Sequence, residues 1–193
     1  MKLSCRCGQV QGECNPARSY TRVTCYCADC RAFARWLGGD GLLDAAGGSD
    51  IVAMAPDGLR FTQGLEQLAC MSLGPRGLLR WYARCCRTPL GNVPRNPKLY
   101  YLGLPVPVIA EAEAAVTARF GAQGHTIISP ESATAAVNPT RGALLAGTLR
   151  IVSKLASARL RGRRNTLLFA VDGQPIHEPQ VLTLEQRRGL DGG

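Results

Sequence analysis

The segment 25–30 reads CYCADC and brings three cysteines close together in the chain. It follows a run rich in β-branched and aromatic residues, so Cys25 and Cys27 should project their sulfurs from one face of a strand. Cys30 returns towards them after a tight turn. Three thiolates on one Zn²⁺ leave a fourth tetrahedral position for substrate or water. The segment therefore predicts a metal site with an open coordination position.

A closed structural site is the alternative for the same three cysteines, with Cys70 or Cys14 as the fourth ligand. Structural zinc is as a rule held by four protein ligands, whereas catalytic zinc keeps one position open. We expect the open arrangement, which makes Cys25, Cys27 and Cys30 the predicted catalytic residues.

The full set of cysteines favours metal binding over disulfides. A disulfide-stabilised secreted domain would normally be shorter and carry an export signal, and several of these cysteines are only two or three residues apart. The start of the chain has no apolar core and no small-residue cleavage site, so we expect a cytoplasmic protein. The nine cysteines all lie in the first half, at positions 5, 7, 14, 25, 27, 30, 70, 85 and 86.

A second group of cysteines combines the two ends of the first half. Cys5 and Cys7 are two apart, so on a strand they face the same way, and Gly8 lets the backbone curl after them. Cys85 and Cys86 are adjacent and could serve one ion only where the backbone turns sharply. At least one of them should complete the Cys5 and Cys7 site, because three thiolates would leave a structural ion undercoordinated.

Composition and charge exclude some classes of protein. The chain has 193 residues, of which 46% are hydrophobic and 19% charged, as in a folded globular protein. It contains no run of about 18 apolar residues that could span a membrane. The net charge is +9, and a basic stretch can bind nucleic acid, but no aromatic residue lies among these charges to stack on bases. A solvated helix face is the simpler interpretation of Arg150, Lys154, Arg159, Arg161, Arg163 and Arg164.

The chain divides near residue 105. The first half has many short β-like runs with glycine-rich breaks, which predicts a small antiparallel β domain over residues 1–105. The second half lacks cysteine and predicts an α+β extension over residues 106–193, whose role and effect on oligomeric state the sequence leaves open. Predicted strands are 9–14, 20–25, 51–55, 59–63, 68–73, 78–83, 166–171 and 180–183, and predicted helices are 31–37, 110–120 and 142–160.

Three motifs together carry a family resemblance. The segments 5–10 (CRCGQV), 25–31 (CYCADCR) and 86–90 (CRTPL) agree in order and spacing with the glutathione-dependent formaldehyde-activating (GFA) and CENP-V-like family. The agreement covers roughly the first 105 residues, and it implies a β-tent fold with two zinc ions. The resemblance implies that Cys5, Cys7 and Cys86 hold a structural zinc. It places a catalytic zinc on the three cysteines of segment 25–30.

This sequence departs from the family pattern at three positions. Ala83 stands where the first cysteine of the late motif is expected, and Arg87 stands where a glycine follows the second. Cys85 is then the expected replacement as fourth ligand. Tyr26 occupies the position of the usual histidine between the first two catalytic cysteines.

The resemblance implies a carbon–sulfur lyase acting on an adduct of a small aldehyde with glutathione or another thiol. Zinc would bind the substrate sulfur and lower its pKa. Arg31 and Arg35 are candidates to pair with glutathione carboxylates, although both could be ordinary surface charges. Both histidines lie in the second half, so a nearby base would be a carboxylate such as Asp29, a thiolate, a hydroxide or a residue from that half.

The alternative function is a non-catalytic zinc module that binds a protein or nucleic-acid partner through its basic second half. The altered late motif favours this reading, and three thiolates make zinc a weaker Lewis acid. The metal environment discriminates between the two functions: an open three-cysteine site in a pocket favours catalysis, and two closed sites favour the module.

Overall fold

The protein has a mixed α+β fold built on two β-sheets. Its structure is a computed structural model that describes residues 1–39 and 41–190. Within these residues the helices are α1 (Ala28–Trp36), α2 (Glu113–Phe120), α3 (Arg141–Leu160) and α4 (Leu184–Gly189). The strands are β1 (Lys2–Ser4), β2 (Gln11–Cys14), β3 (Ser19–Cys25), β4 (Ser49–Met54), β5 (Leu59–Gln63), β6 (Leu68–Ser72), β7 (Leu79–Ala83), β8 (Pro89–Val93), β9 (Leu102–Pro105), β10 (Ile127–Ile128) and β11 (Gln180–Val181).

The strands form one small and one large sheet. The small sheet has the order β1-β2-β5, and the large sheet has the order β10-β3-β4-β9-β8-β7-β6-β11. All pairs are antiparallel except the two outermost pairs of the large sheet, β10 with β3 and β11 with β6, which are parallel. Both of these edge strands come from the second half of the chain, which therefore extends the same sheet that the first half builds.

The main core contains side chains from both sheets. Alternate residues of the central strands point into it, including Met54 on β4, Trp81 on β7 and Leu102 on β9. Leu3 and Leu59 reach it from the small sheet. Trp81 is completely buried, and truncating such a residue to alanine typically costs about 3–5 kcal/mol. This core fixes the large sheet as the platform for the residues described below.

The opposite face of the large sheet is covered by helices. Phe33 and Leu37 of the α1 region pack against Met71 and Leu73 near β6. Helix α3 covers the region of β3 and β4, where Ala158 packs with Tyr20. Because α1 follows β3 after only two residues, the cysteines of segment 25–30 lie where the sheet meets its covering helix.

A buried ion pair joins the second half to this platform. The Arg22 side chain on β3 is 1% exposed and contacts Asp50 at 2.6 Å and Glu113 at 2.9 Å. It also donates a hydrogen bond to the carbonyl of Gly121. Helix α2 is thereby attached to β3 by a charge whose removal would leave two carboxylates unpaired.

Several elements differ from the sequence-based prediction. The predicted strand 166–171 is wrong: this segment forms an isolated bridge between Phe169 and Pro175, and the side chain of Asn165 caps the backbone amides of Leu167 and Leu168. Leu168 and Phe169 of this loop are buried in the main core, whereas Val171 is fully exposed. Strands β1, β8, β9 and β10 and helix α4 were not predicted. Among the described residues, no helix combines the length and apolar character that crossing a membrane requires.

Candidate metal centres

The first cysteine cluster contains the four sulfurs of Cys5, Cys7, Cys85 and Cys86, which all lie within 4.8 Å of one another. The Sγ–Sγ distances are 3.6 Å for Cys5–Cys7 and 3.3 Å for Cys7–Cys85. They are 3.9 Å for Cys5–Cys85 and 3.8 Å for Cys85–Cys86. A tetrahedral ion with Zn–S bonds of about 2.3 Å needs sulfurs about 3.8 Å apart. The four thiols are therefore arranged as a closed tetrahedral site.

The first loop of this cluster is a tight turn. The amide of Gly8 donates to the carbonyl of Cys5 at 2.9 Å, and Gly8 has a φ of +77°, which favours glycine. The amide of Val10 donates to the sulfur of Cys5 at 3.2 Å. Backbone amides aimed at a sulfur stabilise its thiolate, the form that binds metal.

The second loop connects β7 to β8 and turns in the same way. The amide of Arg87 donates to the carbonyl of Ala83 at 2.7 Å, and the amide of Ala83 donates to the carbonyl of Thr88 at 2.8 Å. Arg87 has a φ of 56°, although it is not glycine. The backbone thus adopts a left-handed turn at the position where the family pattern has glycine. This turn lets the adjacent Cys85 and Cys86 both face the cluster.

Contacts between the two loops hold the cluster together. The backbone amide of Arg6 donates to the Thr88 hydroxyl at 3.0 Å, and its guanidinium donates to the carbonyl of Cys86 at 2.6 Å. The Thr88 hydroxyl also lies 3.1 Å from the sulfur of Cys86. Burial opposes ionisation of Cys86, but hydrogen bonds, first from Thr88, outweigh it and lower the pKa of this thiol to about 6. These hydrogen bonds therefore favour the thiolate form of Cys86, which is the form that binds metal.

The second cysteine cluster contains Cys25, Cys27 and Cys30, whose sulfurs also lie within 4.8 Å of one another. Cys25 ends β3, Cys27 is the N-cap of α1, and Cys30 lies in its first turn. The Sγ atoms of Cys25 and Cys27 are 3.4 Å apart. In the part of the chain that the structure describes, no histidine, carboxylate or further cysteine joins this group. The cluster supplies three thiolates and leaves a tetrahedral position without a side-chain ligand.

Electrostatics concentrate negative charge on one sulfur of this cluster. The pKa of Cys27 is lowered to about 2, first by a hydrogen bond from Cys25, then by one from Cys30, with a smaller contribution from the positive charge of Arg80. The pKa values of Cys25 and Cys30 are raised, mainly because each donates to another sulfur of the cluster. The N-terminus of α1 also favours a thiolate at its cap.

Cys14 and Cys70 lie away from both clusters. Each is 3% exposed and packs in the main core, and burial raises the pKa of both thiols, that of Cys70 to about 12. Neither therefore supplies a fourth ligand to the second cluster in this structure.

The accessory residues suggested by the sequence are engaged elsewhere. The guanidinium of Arg31 donates to the carbonyls of Tyr26 and Ser132, and that of Arg35 donates to the carbonyl of Leu190. Asp29 accepts a hydrogen bond from Arg187 at 2.9 Å. The hydroxyl of Tyr26 donates to Asp44 at 2.9 Å.

Sequence reasoning missed several polar residues beside the second cluster. A narrow cleft with a free volume of about 10 Å³ is lined by apolar side chains of the α1 region and by Cys30, Ser49, Asp50, Arg80 and Asn92. Another of the missed residues is Tyr101. Burial raises the pKa of its phenol, and the nearby sulfurs of Cys25 and Cys30 raise this pKa further. The only sequence signal for Arg80 is its place between Leu79 and Trp81 in a predicted strand, which puts it on the face opposite the main core.

Comparison with known proteins gives a family and no activity. No curated protein matches the chain. A solved protein from Rhodobacter sphaeroides is similar to it with a TM-score of 0.43 and 21% identity, over 60% of this chain and 94% of that one. The profile of a family described as a family of unknown function, DUF6151, matches residues 1–157. Since this match spans most of the 193 residues, the chain belongs to the DUF6151 family.

Proposed function

We propose that this protein is a zinc-dependent carbon–sulfur lyase of the GFA type, acting on a thiol adduct of a small aldehyde. The observation that carries the proposal is the contrast between a closed cluster of four thiols and a second cluster of three. The second cluster borders a cleft that also contains the polar side chains of Ser49, Asp50, Arg80 and Asn92. The two-sheet architecture and the two clusters also support the β-tent fold that the resemblance implies.

Zinc suits the donor sets of both clusters. Thiolates are preferred zinc ligands, and four of the six Sγ–Sγ distances in the first cluster, 3.3–3.9 Å, bracket the tetrahedral edge of about 3.8 Å. When bound at the second cluster, zinc would supply a Lewis acid for a sulfur ligand. Nine free thiols also suit a reducing compartment such as the cytoplasm.

The reaction would cleave an adduct with a hydroxyl and a sulfur on the same carbon. The hydroxyl loses its proton, its oxygen forms the carbonyl double bond, and the C–S bonding pair leaves with sulfur. The sulfur takes up a proton, so the products are a thiol and an aldehyde with no net change in protons. Cys25, Cys27 and Cys30 would hold the ion, and Arg80, whose positive charge acts on Cys27, would also stabilise a thiolate that leaves beside this cluster.

The alternative is a non-catalytic zinc module, and one observation favours it. Arg31 and Arg35, the arginines expected to pair with glutathione carboxylates, bond to backbone carbonyls instead. If glutathione is the thiol, its carboxylates must be bound by other groups. The proposal therefore rests on the three-cysteine cluster and not on a preformed glutathione site.

Removing one ligand from the second cluster tests the proposal. Cys27→Ala should abolish turnover of the glutathione–formaldehyde adduct, followed by NMR, and should lose one zinc equivalent. Its melting temperature should fall by no more than about 4 °C, the shift caused by roughly 1 kcal/mol in a chain of this size. Cys70→Ala is the matched control and should retain both metal and turnover. Wild-type protein with two bound ions and no turnover of any thiol–aldehyde adduct would favour the module.

A further inference from the structure

Arg80 is a buried cation that lacks a close anionic partner. Its side chain is 3% exposed, and its nearest carboxylate is Asp29, at 4.0 Å. Asp29 is 52% exposed and has a shorter contact, 2.9 Å, with Arg187. Among residues 1–39 and 41–190 no group is seen to accept a hydrogen bond from Arg80, although its guanidinium lies over the ring of Phe33 at 5.1 Å. The Arg80 nitrogens are not among the fully enclosed atoms without a partner, so a ligand or water can reach them, and an acceptor placed there would form a charge-assisted hydrogen bond.

Asn92 lies directly opposite Arg80 on the neighbouring strand and lacks a donor. The register pairs Arg80 of β7 with Asn92 of β8, so both side chains lie on the α1 face of the sheet. The Oδ1 atom of Asn92 is buried and has no hydrogen-bond partner within the described part of the chain. Both residues line the same cleft as Cys30. An unpaired donor and an unpaired acceptor therefore meet beside the second cluster.

The size and polarity of this cleft restrict what can fill it. A free volume of about 10 Å³ is close to the minimum for one water-sized group. The rest of the wall combines apolar side chains, such as Phe33 and Leu37, with Ser49 and Asp50. Both carboxylate oxygens of Asp50 already accept hydrogen bonds from Arg22. A hydroxyl fits, because it accepts from Arg80 and donates to Asn92. A carboxylate would satisfy Arg80 but place negative charge against an acceptor oxygen, and an alkyl group would satisfy neither residue.

We propose that Arg80 and Asn92 form a hydroxyl-binding subsite that orients a hydroxyl-bearing thiol or thioether at the three-cysteine cluster. The proposal rests on the proposed function for the position of the sulfur. The subsite distinguishes an aldehyde adduct, which carries a hydroxyl beside its sulfur, from the free thiol. If Arg80 only offset the negative charge of the cysteine thiolates, its own position would be explained. The acceptor oxygen of Asn92 would still lack a hydrogen-bond donor.

Thiol binding to the cobalt-substituted full chain tests this subsite, with thiolate-to-cobalt charge-transfer bands as the readout. The probes are 2-mercaptoethanol, a stable thiol with a hydroxyl, and ethanethiol, which lacks one. We expect 2-mercaptoethanol to bind on the order of tenfold more tightly, as expected for a hydrogen bond to a charged group. Arg80→Met and Asn92→Leu should each bring the ratio of the two affinities to about one. Arg80→Met should in addition weaken the binding of both thiols, because it removes a positive charge beside the cluster. Arg76→Met, at an exposed turn, is the matched control and should keep the preference.

Each other outcome decides between explanations. Equal binding of both thiols to wild type would overturn the subsite and leave the lyase proposal standing. Tightest binding of mercaptoacetate, with sensitivity to Arg80→Met alone, would show a charge site and overturn the hydroxyl assignment. If no thiol changes the cobalt spectrum, the proposed function fails. A titration with methanol, observed at the side-chain amide resonances of Asn92, then decides the subsite: a shift absent from Arg80→Met supports it, and no shift overturns it.

Discussion

The two cysteine clusters are built from the same ligand type by different means. The first joins two turns that lie about 80 residues apart in sequence, as in the pair Cys5 and Cys85. The second comes from one continuous segment at the junction of β3 and α1. An ion in the first cluster closes a long loop of chain, whereas an ion in the second closes only a short one. Metal at the first cluster should therefore contribute far more to stability.

The surroundings of the two clusters also differ, in their exposure and in the number of side-chain ligands. Cys7 of the first cluster is exposed, and four sulfurs fill its coordination positions. The second cluster is largely buried, lacks a fourth side-chain ligand among the described residues, and borders a cleft with unpaired polar groups. Unpaired buried groups are costly to a fold, and they concentrate where a ligand completes them. From this comparison we propose a structural role for the first cluster and ligand binding at the second.

The largest effect should follow loss of a ligand from the first cluster. Cys86→Ser should lose one metal equivalent, measured by elemental analysis, because it opens the tetrahedral site. Structural zinc can contribute on the order of 10 kcal/mol. Complete loss of this contribution is therefore expected to lower the melting temperature by about 20–40 °C, at roughly 2–4 °C per kcal/mol. Cys14→Ala should keep both ions, and equal melting of Cys86→Ser and wild type would remove the structural role.

Short spacing and backbone period predict where neighbouring sulfurs point, as in the segment 25–30. The joining of Cys5 and Cys7 to Cys85 and Cys86, about 80 residues later, followed from the need for a fourth ligand and from the family resemblance.

The sequence did not predict the cleft. Arg80 alternates with core residues and looks like a solvent-facing strand position, but α1, from more than 40 residues earlier, covers it. Strand β8 contains Pro89, Gly91 and Asn92, all poor strand formers, and exists because β7 and β9 flank it. Tertiary contacts, which a local sequence pattern does not show, determine both the burial of Arg80 and the formation of β8.

An intermediate effect concerns the ionisation of the second cluster. In protein carrying one metal equivalent at the first cluster, Cys27 should react with iodoacetamide down to about pH 5. The pKa of Cys27 is lowered to about 2. Its thiolate should therefore persist well below the pH at which an ordinary thiol becomes protonated, and should be lost only as the pH approaches that lowered pKa. Cys25 and Cys30 have raised pKa values and should stay unmodified. Mass mapping after alkylation at pH 5 and pH 8 measures this.

The contrary result would also be informative. If alkylation of Cys27 falls about tenfold per pH unit below pH 8, as for an ordinary thiol, the three sulfurs do not share protons. The second cluster would then need a bound ion before its thiols come together. That outcome would mean that the second cluster is assembled by metal binding and is not a preformed open site.

The smallest effect tests the turn at Arg87, where the GFA and CENP-V-like pattern has a glycine. Arg87 has a φ of 56°, which costs a non-glycine residue about 1–2 kcal/mol. Its guanidinium also donates to the carbonyl of Trp36 at 3.1 Å and lies over the Trp36 ring at 5.5 Å. Arg87→Ala keeps the strained turn and loses these contacts, whereas Arg87→Gly loses the contacts and relieves the turn. In urea unfolding of the zinc-loaded protein, Arg87→Gly should be the more stable variant by about 1 kcal/mol. Equal stability of the two variants would mean that the turn at Arg87 is not strained. The contacts of Arg87 with Trp36 would then have no strain to offset.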